Sequence, residues 1–468
     1  MFFPRLFSRF LLLLLVAALL ALISATESVG REAVQASGAS ASTGEKRLTE
    51  REALILARVL AGQGRRDEAV TLYQQLISYG RIQEYRIEAA FQLAGIFMLE
   101  GSFRKASLLF LDILRQNPNL PRVRLELARA YFLNKDYDDA QLQFELVKGS
   151  SLPSEVQEKV DEFLTQIRRK KDWTIDFDLA IVPDSNLNQS SGGEEECIAV
   201  GDMLLCRPLE KKQSGIGLEV GGTFNHYLRF SRDFGLRSTI SLNALEYERS
   251  DFDDYQFFLA SGPRYTFEQG EISLQPMFRK RWYAGQQYNE EYGIRLDGQW
   301  MWNRFLLGGA FAWTHIRYND GYTNEFLEGD SLFSHFQLRY ILNDRTFVQA
   351  GLACQRENAR VDAYGSDSLR YALGFYRILP YGFSLFSELS LTDTRYHDVQ
   401  WYITRAHRIA ETSRRDRTWL AFVSLSSSLF EKYAITPTLQ YTYIKRNSNI
   451  WTQKHERHRL SLSFRYRF

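Results

Sequence analysis

The run Trp173-Thr174-Ile175-Asp176-Phe177-Asp178-Leu179-Ala180-Ile181 decides the fold of the second half of this chain. Before it, apolar residues recur every three to four positions. From Trp173 they recur at every second one, with Thr174, Asp176, Asp178 and Ala180 between them. A period of two puts the apolar side chains on one face of a strand and the polar ones on the other. The chain closes in the same way: Leu460, Leu462, Phe464, Tyr466 and Phe468 alternate with Arg459, Ser461, Ser463, Arg465 and Arg467. Tyr292, Ile294, Leu296, Gly298 and Trp300 repeat the pattern midway. Each run is about ten residues, enough for a tilted strand to cross a bilayer.

The connections between such runs alternate in length. The long ones are Pro183–Ser214, Arg249–Asp254, Ala284–Glu290, Tyr318–Glu328, Asn358–Asp367, His397–Asp416 and Arg446–Arg457. Between them lie the tight turns Ser231–Asp233, Glu268–Gly270, Asn303-Arg304, Asn343–Arg345, Leu379–Tyr381 and Phe430–Lys432. A soluble sandwich has no reason to lengthen every second loop, whereas outer-membrane barrels pair short periplasmic turns with long surface loops. Seven long and six short connections predict a 14-stranded antiparallel transmembrane β-barrel over residues 172–468, with both of its ends facing the periplasm. The terminal alternation ending in Phe464, Tyr466 and Phe468 also fits the signal read by barrel-assembly machinery. Lys280 is the exception, a cation on a nominally outward position, where mid-membrane burial is costly.

Composition agrees. Tyr (25) and Phe (33) are abundant, Cys (3) and Met (5) scarce, and the mean hydropathy is slightly negative. That profile excludes a helical membrane bundle but suits a barrel whose lumen is polar. A net charge of +2 gives no electrostatic ground for a nucleic-acid partner.

At the N-terminus, Arg5 and Arg9 precede an apolar run, Phe10–Ile23, too short to span a bilayer comfortably. Residues 1–25 therefore read as a signal peptide ending near Ser24-Ala25, and the Ala/Ser/Gly/Glu-rich residues 26–48 as a flexible linker.

Residues 49–171 are helical in period and repeat. Leu93, Phe97, Ala106 and Phe110 return as Leu127, Tyr131, Ala140 and Phe144, thirty-four positions later, which is the tetratricopeptide (TPR) period. Small Ala106 and Ala140 allow close helix crossing, and Asn117-Pro118 ends a helix. An earlier copy is Leu56, Ala69 and Tyr73, and Pro153 opens a capping helix with Val156, Val160, Phe163 and Ile167 on one face. Fold class is thus multidomain α + β, with all-α TPR-like repeats ahead of the barrel. In such stacks the first helix of each repeat lines the concave face. Glu88, Phe91, Arg122, Leu125, Arg129 and Phe132 are the candidate client-binding residues, with a packing-only role as the alternative.

Cys197 and Cys206 fall in the first long loop, and their spacing permits a disulfide in an exported protein, whereas Cys354 reads as a wall residue. The seven His residues show no zinc-type spacing. A pair such as Asp393 and His397 lacks the further groups a hydrolase needs, and there is no nucleotide-binding loop. The sequence therefore predicts no enzyme, metal or cofactor. A lumen rich in Arg, Asp, Gln and Thr suits either a bland hydrated wall or a polymer conduit.

After the first strand comes Leu179-Ala180-Ile181-Val182-Pro183-Asp184-Ser185-Asn186-Leu187-Asn188. With Pro183, Asp184, Asn186 and Asn188 it resembles the Pro-Asp-x-Asn-x-Asn segment of the surface lipoprotein assembly modulator (Slam) family. By its own chemistry this segment reads as a turn: Pro183 ends the ladder, and Asp/Asn side chains bond neighbouring backbone. The resemblance implies a signal peptide, a periplasmic TPR domain and a fourteen-stranded outer-membrane barrel that brings particular lipoproteins or secreted binding proteins to the cell surface. It also implies a client protein as partner, with barrel-assembly machinery and periplasmic chaperones during biogenesis and transport. An exopolysaccharide export porin, or a passive pore or receptor, is the alternative reading.

Overall fold

The computed structural model describes residues 48–193, 195–200 and 203–467. The expected signal peptide, nearly all of the linker and Phe468 lie outside them. The described residues divide into two compact units, one up to Arg86 and one from Ile87 onward.

In the first unit, α1 (Glu50–Gly62) starts at Thr49. The Thr49 side chain accepts a bond from the Glu52 N–H, and the Glu52 carboxylate accepts one from the Thr49 N–H at 2.9 Å, a reciprocal cap. Leu54, Ala57 and Leu60 are buried on its inner stripe, and Ala69, Tyr73 and Leu76 on that of α2 (Arg66–Tyr79). Leu56, expected as the repeat's core residue, is instead 39% exposed. The stripe runs through 54, 57 and 60, so position 56 falls on the other side of the helix.

Next come α3 (Gln83–Leu99), α4 (Phe103–Gln116), α5 (Pro121–Leu133), α6 (Tyr137–Val147) and α7 (Ser154–Lys170). Three of the four thirty-four-residue correspondences occupy equivalent buried places: Leu93 and Leu127 are buried, Ala106 and Ala140 fully so, and Phe110 and Phe144 are within 1% of it, whereas Phe97 is half-buried where Tyr131 is buried. Phe163 of α7 lies between Phe132 and Phe144, with ring centroids at 5.1 and 4.9 Å. That contact ties the last helix to the pair before it.

The barrel comprises β1 (Trp173–Asp184), β4 (Gly215–Arg229), β5 (Phe234–Tyr247), β6 (Asp254–Phe267), β7 (Gly270–Tyr283), β8 (Gln286–Trp302), β9 (Phe305–Tyr318), β10 (Gly329–Asn343), β11 (Thr346–Ala359), β12 (Ser366–Ile378), β13 (Phe383–Ile403), β14 (Ile409–Ser427), β15 (Ile435–Ser448) and β16 (His455–Arg467). Neighbours pair antiparallel in chain order, and β1 pairs with β16 to close the barrel at fourteen strands. The first long connection carries a separate hairpin, β2 (Glu195–Val200) and β3 (Met203–Pro208), across which Cys197 and Cys206 are disulfide-bonded. A short helix of 7 residues, α8 (Gly321–Leu327), lies between β9 and β10.

Period two resolves into two surfaces. Ile181, Ile272, Leu274, Ile294, Leu296, Leu373, Leu389 and Leu462 stand exposed on the outer wall. The inner wall carries ion pairs such as Arg279–Glu291 at 2.9 Å, Arg370–Glu388 at 2.7 Å and Arg459–Glu219 at 2.7 Å. Cys354 is free and exposed, on the same side of β11 as Leu352.

Three sequence expectations for the barrel change, and the exception at Lys280 is accounted for. The segment 284–290 is not a long loop: Ala284 and Gly285, both at positive φ, form a tight turn, and β8 begins at Gln286. Likewise most of 397–416 belongs to β13 and β14, which run on to Ile403 and back from Ile409. Those polar, turn-rich stretches pair as strand extensions at the long-loop end, where water tolerates them. Pro183 does not end β1 either. It pairs with Ile216 of β4, while on the β16 side the ladder runs to Ile181↔Leu462 and resumes at Asp184↔Arg459. A proline withholds one donor, so it interrupts one neighbour only. Lys280 lies three residues from the loop end of β7, bonded to Glu290 on the next strand at 2.6 Å and 5.4 Å from the Trp282 ring, so its charge is met at the edge of the apolar band.

The Pro183–Asn188 segment fastens the closing seam. Asp184 receives Arg457 of β16 at 2.6 Å, the Ser185 N–H donates to the His458 carbonyl at 3.0 Å, and the His458 N–H donates to Ser185 Oγ at 2.8 Å. Asn186, fully buried, donates to the Glu456 carbonyl at 2.9 Å and accepts from the Ser190 N–H at 3.0 Å. Asn188 accepts from the Gln213 N–H at 3.1 Å, gathering the return of the loop. We expect Asp184→Ala, which strands Arg457, to lower the temperature at which the compact barrel band converts on heating in gel electrophoresis. Asn188→Ala should lower it less; equal behaviour of both variants and the parent would contradict the fastening role.

Candidate functional site

The six short turns form one rim, and residues of α4 to α7 or of the link between α6 and α7 reach every one of them. At the first turn, Asp233 accepts from Arg169 at 2.9 Å. At the second, the Glu268 carbonyl accepts from Thr165 Oγ1 at 2.8 Å and from Arg168. Arg304 of the third donates to the Ser150 carbonyl at 3.4 Å. Asp344 of the fourth faces Arg124 at 3.6 Å. At the fifth, a Cβ added to Gly382 would meet the Arg115 side chain at 3.1 Å. At the sixth, Ser428 accepts from Arg115 through both its carbonyl and its hydroxyl, and the Lys432 carbonyl accepts from Arg104 at 3.2 Å.

Two guanidinium groups of the inner wall also meet the helices. Arg264 of β6 donates to the Arg168 carbonyl at 2.8 Å, and Arg339 of β10 pairs with Glu145 of α6 at 3.3 Å. The helices therefore form a cap across the short-turn mouth. Gly149, between α6 and α7, permits the closest approach: a Cβ there would lie 2.5 Å from the Asn343 carbonyl carbon. Arg124 is the central strut. It is 2% exposed and donates to Gln143 at 2.7 Å and to the Pro118 carbonyl at 3.0 Å while facing Asp344.

An acidic trio sits under one side of this cap. Burial pushes the Glu431 carboxyl up to about 7, Asp139 and Asp136 push the same way, and Arg115 and Arg104 oppose them. Asp136 is raised too, again mainly by burial.

The six candidate client-binding residues divide. Phe132 is buried, edge-on to Tyr137 and Phe163 and beneath Lys170, so it is a core residue. The sequence placed it on the lining helix but could not show that α7 packs back over it. Phe91 lies between Phe110, tilted at 60° to it, and the Arg122 guanidinium, with the cation 5.1 Å from its ring. Arg129 is exposed and pairs with Glu126 at 3.7 Å, Glu88 accepts from Gln92 at 2.8 Å, and Leu125 is half-buried. The cap arginines went unnoticed in the sequence, although one signal was present: Arg124 interrupts an apolar stripe between Val123 and Leu127.

Residues 173–468 match the family model described as surface lipoprotein assembly modifier. This chain belongs to that family. A surface lipoprotein assembly modifier of Pasteurella multocida is 21% identical over 382 residues, covering 78% of this chain and 73% of the relative. Surface lipoprotein assembly modifier 1 of Neisseria meningitidis is 20% identical, covering 82% and 77%. The hemophilin secretion modulator of Acinetobacter baumannii is 22% identical over 429 residues, covering 85% and 81%. The solved outer-membrane channel DcaP of Acinetobacter baumannii overlays with a TM-score of 0.35 at 8% identity, covering 64% of this chain and 98% of that one. That overlay is too loose to argue from. Family and closed barrel together place this family member in the outer membrane.

The raised Glu431 carboxyl makes cap docking pH-dependent. Docking favours the protonated acid, so its contribution is full below about pH 4.5 and is lost as pH rises through about 7. We expect the protection factors of α4 and α6 amides, which are free of the base-catalysed intrinsic rate, to fall from about pH 5 to 8, and Glu431→Gln to flatten that fall. Gly149→Val should raise exchange at every pH by about tenfold, near 1.4 kcal/mol of lost docking. An unchanged profile in both variants would contradict the docking described.

Proposed function

We propose that this protein carries a lipoprotein or secreted binding protein across the outer membrane to the cell surface. The helical cap handles the client first and the barrel then passes it. The observation that supports this reading best is a family-matched barrel whose one mouth is covered by a helical domain of the same chain. A passive pore gains nothing from a cap held at all six turns, whereas a device that admits one client does. Membership of the lipoprotein-assembly family favours a protein cargo over a polysaccharide.

Short turns of outer-membrane barrels face the periplasm, so the cap lies on the side from which a client arrives. The chemistry in this reading is non-enzymatic: groups bind and release, and no bond is made or broken. Barrel-assembly machinery would insert the chain, and periplasmic chaperones would deliver the client unfolded, because a fourteen-stranded lumen is narrow for a folded domain. Folding outside the cell would then make passage one-way.

Surface proteomes of cells with and without the chain test this reading. One or a few specific surface lipoproteins or secreted binding proteins should fall at least tenfold in the deletion strain and return on complementation. An unchanged surface proteome, with loss of a surface polysaccharide instead, would overturn it.

A further inference from the structure

The cap's bonds to the rim run mostly in one direction, although Arg304 and Arg229 donate the other way, to the Ser150 and Arg169 carbonyls. Arginines and a threonine on the helices donate to turn carbonyls or carboxylates, at Asp233, Glu268, Ser428 and Lys432. Several buried atoms at this junction lack a hydrogen-bond partner among the described residues, including Nε of Arg124, Arg168, Arg339 and Arg345 and Oδ2 of Asp344. A buried polar network that is only partly satisfied holds more weakly than an apolar seat of the same size. Packing is also incomplete. Between α7 and the second and third turns lies a cleft of about 610 Å³, lined by Lys148, Asp161, Glu268, Met301 and Asn303.

The wall behind the cap differs. Inside the barrel, β11 and β12 present Gly351, Ala353, Ala372 and Gly374 beside Gln349, leaving a recess of about 420 Å³ in the lumen. The protein thus keeps hollow space in its lumen while covering the mouth that leads to it.

We propose that α4 to α7 are a releasable gate. The state described here is the closed one, and transport requires the cap to leave the rim by exchanging polar contacts for water or for the client. Such contacts exchange readily, because each carbonyl and guanidinium regains a hydrogen bond in solvent. The gate stays tethered through Lys171 and Asp172, which enter β1 directly. This inference deepens the transport reading and rests on it only for the identity of the cargo.

Two locks on well-separated parts of the rim test it in the full-length protein. Thr165→Cys with Glu268→Cys puts one thiol on α7 and the other on the turn whose backbone carbonyl lies 2.8 Å from Thr165 Oγ1, and oxidation joins them. Arg115→Cys with Ser428→Cys, in a Cys354→Ala background, can be bridged by a short bis-maleimide. The heat-modifiable barrel band confirms folding of each variant. Export of the client in cells and conductance in planar bilayers are read before and after locking. The gate predicts at least a tenfold fall in both on locking, with recovery of the disulfide variant on reduction.

Export and conductance at parental levels in both locked forms would overturn the gate while leaving protein transport intact. If the parent exports no protein yet locking silences its conductance, the gate stands and the transport reading fails. If neither export nor conductance responds to either lock, the gate is wrong.

Discussion

Everything in this molecule depends on the β1–β16 ladder. In hydrocarbon a backbone N–H or C=O has no water to bond, so a sheet can cross a membrane only if it has no edge. Thirteen seams join strands consecutive around the wall, through turns or loops that hold them together. The fourteenth joins the two ends of the barrel segment and has no covalent help. Its ladder is interrupted around Pro183, and the deficit is made good from the side: Asp184 takes Arg457, Ser185 exchanges bonds with His458, and Asn186 reaches the Glu456 carbonyl. The family-like segment is best understood as the fastening of this seam. Its polar side chains do for β16 what a β-turn does for the other strands.

Closing the barrel fixes where its termini lie, and that fixes the cap. Because β1 begins and β16 ends on the rim of short turns, the helices that precede β1 have to start from that rim. They lie back across it instead of extending away. The reason is chemical. Short turns leave carbonyls unpaired at a sheet's end, and a helical domain bearing Arg104, Arg115, Arg168 and Arg169 supplies donors with long reach. A guanidinium can satisfy a carbonyl without an apolar seat, so the junction is specific in position yet made of bonds that water can replace.

The legibility of the sequence follows from the range of each interaction. Period two at Trp173–Ile181, the thirty-four-residue spacing of Ala106 and Ala140, and helix breaks such as Asn117-Pro118 are local, and all are found where the residues placed them. Loop lengths were read less well. Gln286–Glu290 and much of 397–416 look like loops because they are polar, but beyond the membrane a paired strand can be as polar as a loop. A repeat's first helix usually lines a groove, which is where spacing alone points Phe132, but α7 returns over it, and no spacing within one repeat reveals that. The cap was illegible for the same reason. Its arginines lie on ordinary helices, and their acceptors are backbone carbonyls, which carry no residue signature.

The two ends of this barrel are braced differently, and the difference bears on the proposed gate. At the long-loop end the β2–β3 hairpin is cross-braced by the Cys197–Cys206 disulfide, and the Ala199 N–H donates to the His407 carbonyl beyond the end of β13. That bridge closes a small loop, worth roughly 2–3 kcal/mol by chain entropy, and does not yield to pH or salt. At the short-turn end the cap is held by ion pairs, guanidinium–carbonyl bonds and a carboxyl that loses its proton near neutrality, each sensitive to solvent or to a competing ligand. A gate meant to be opened by a client should be weakest on the side where the client is first met. Both ends carry exchangeable polar contacts, but among the described residues the covalent brace lies only at the long-loop end.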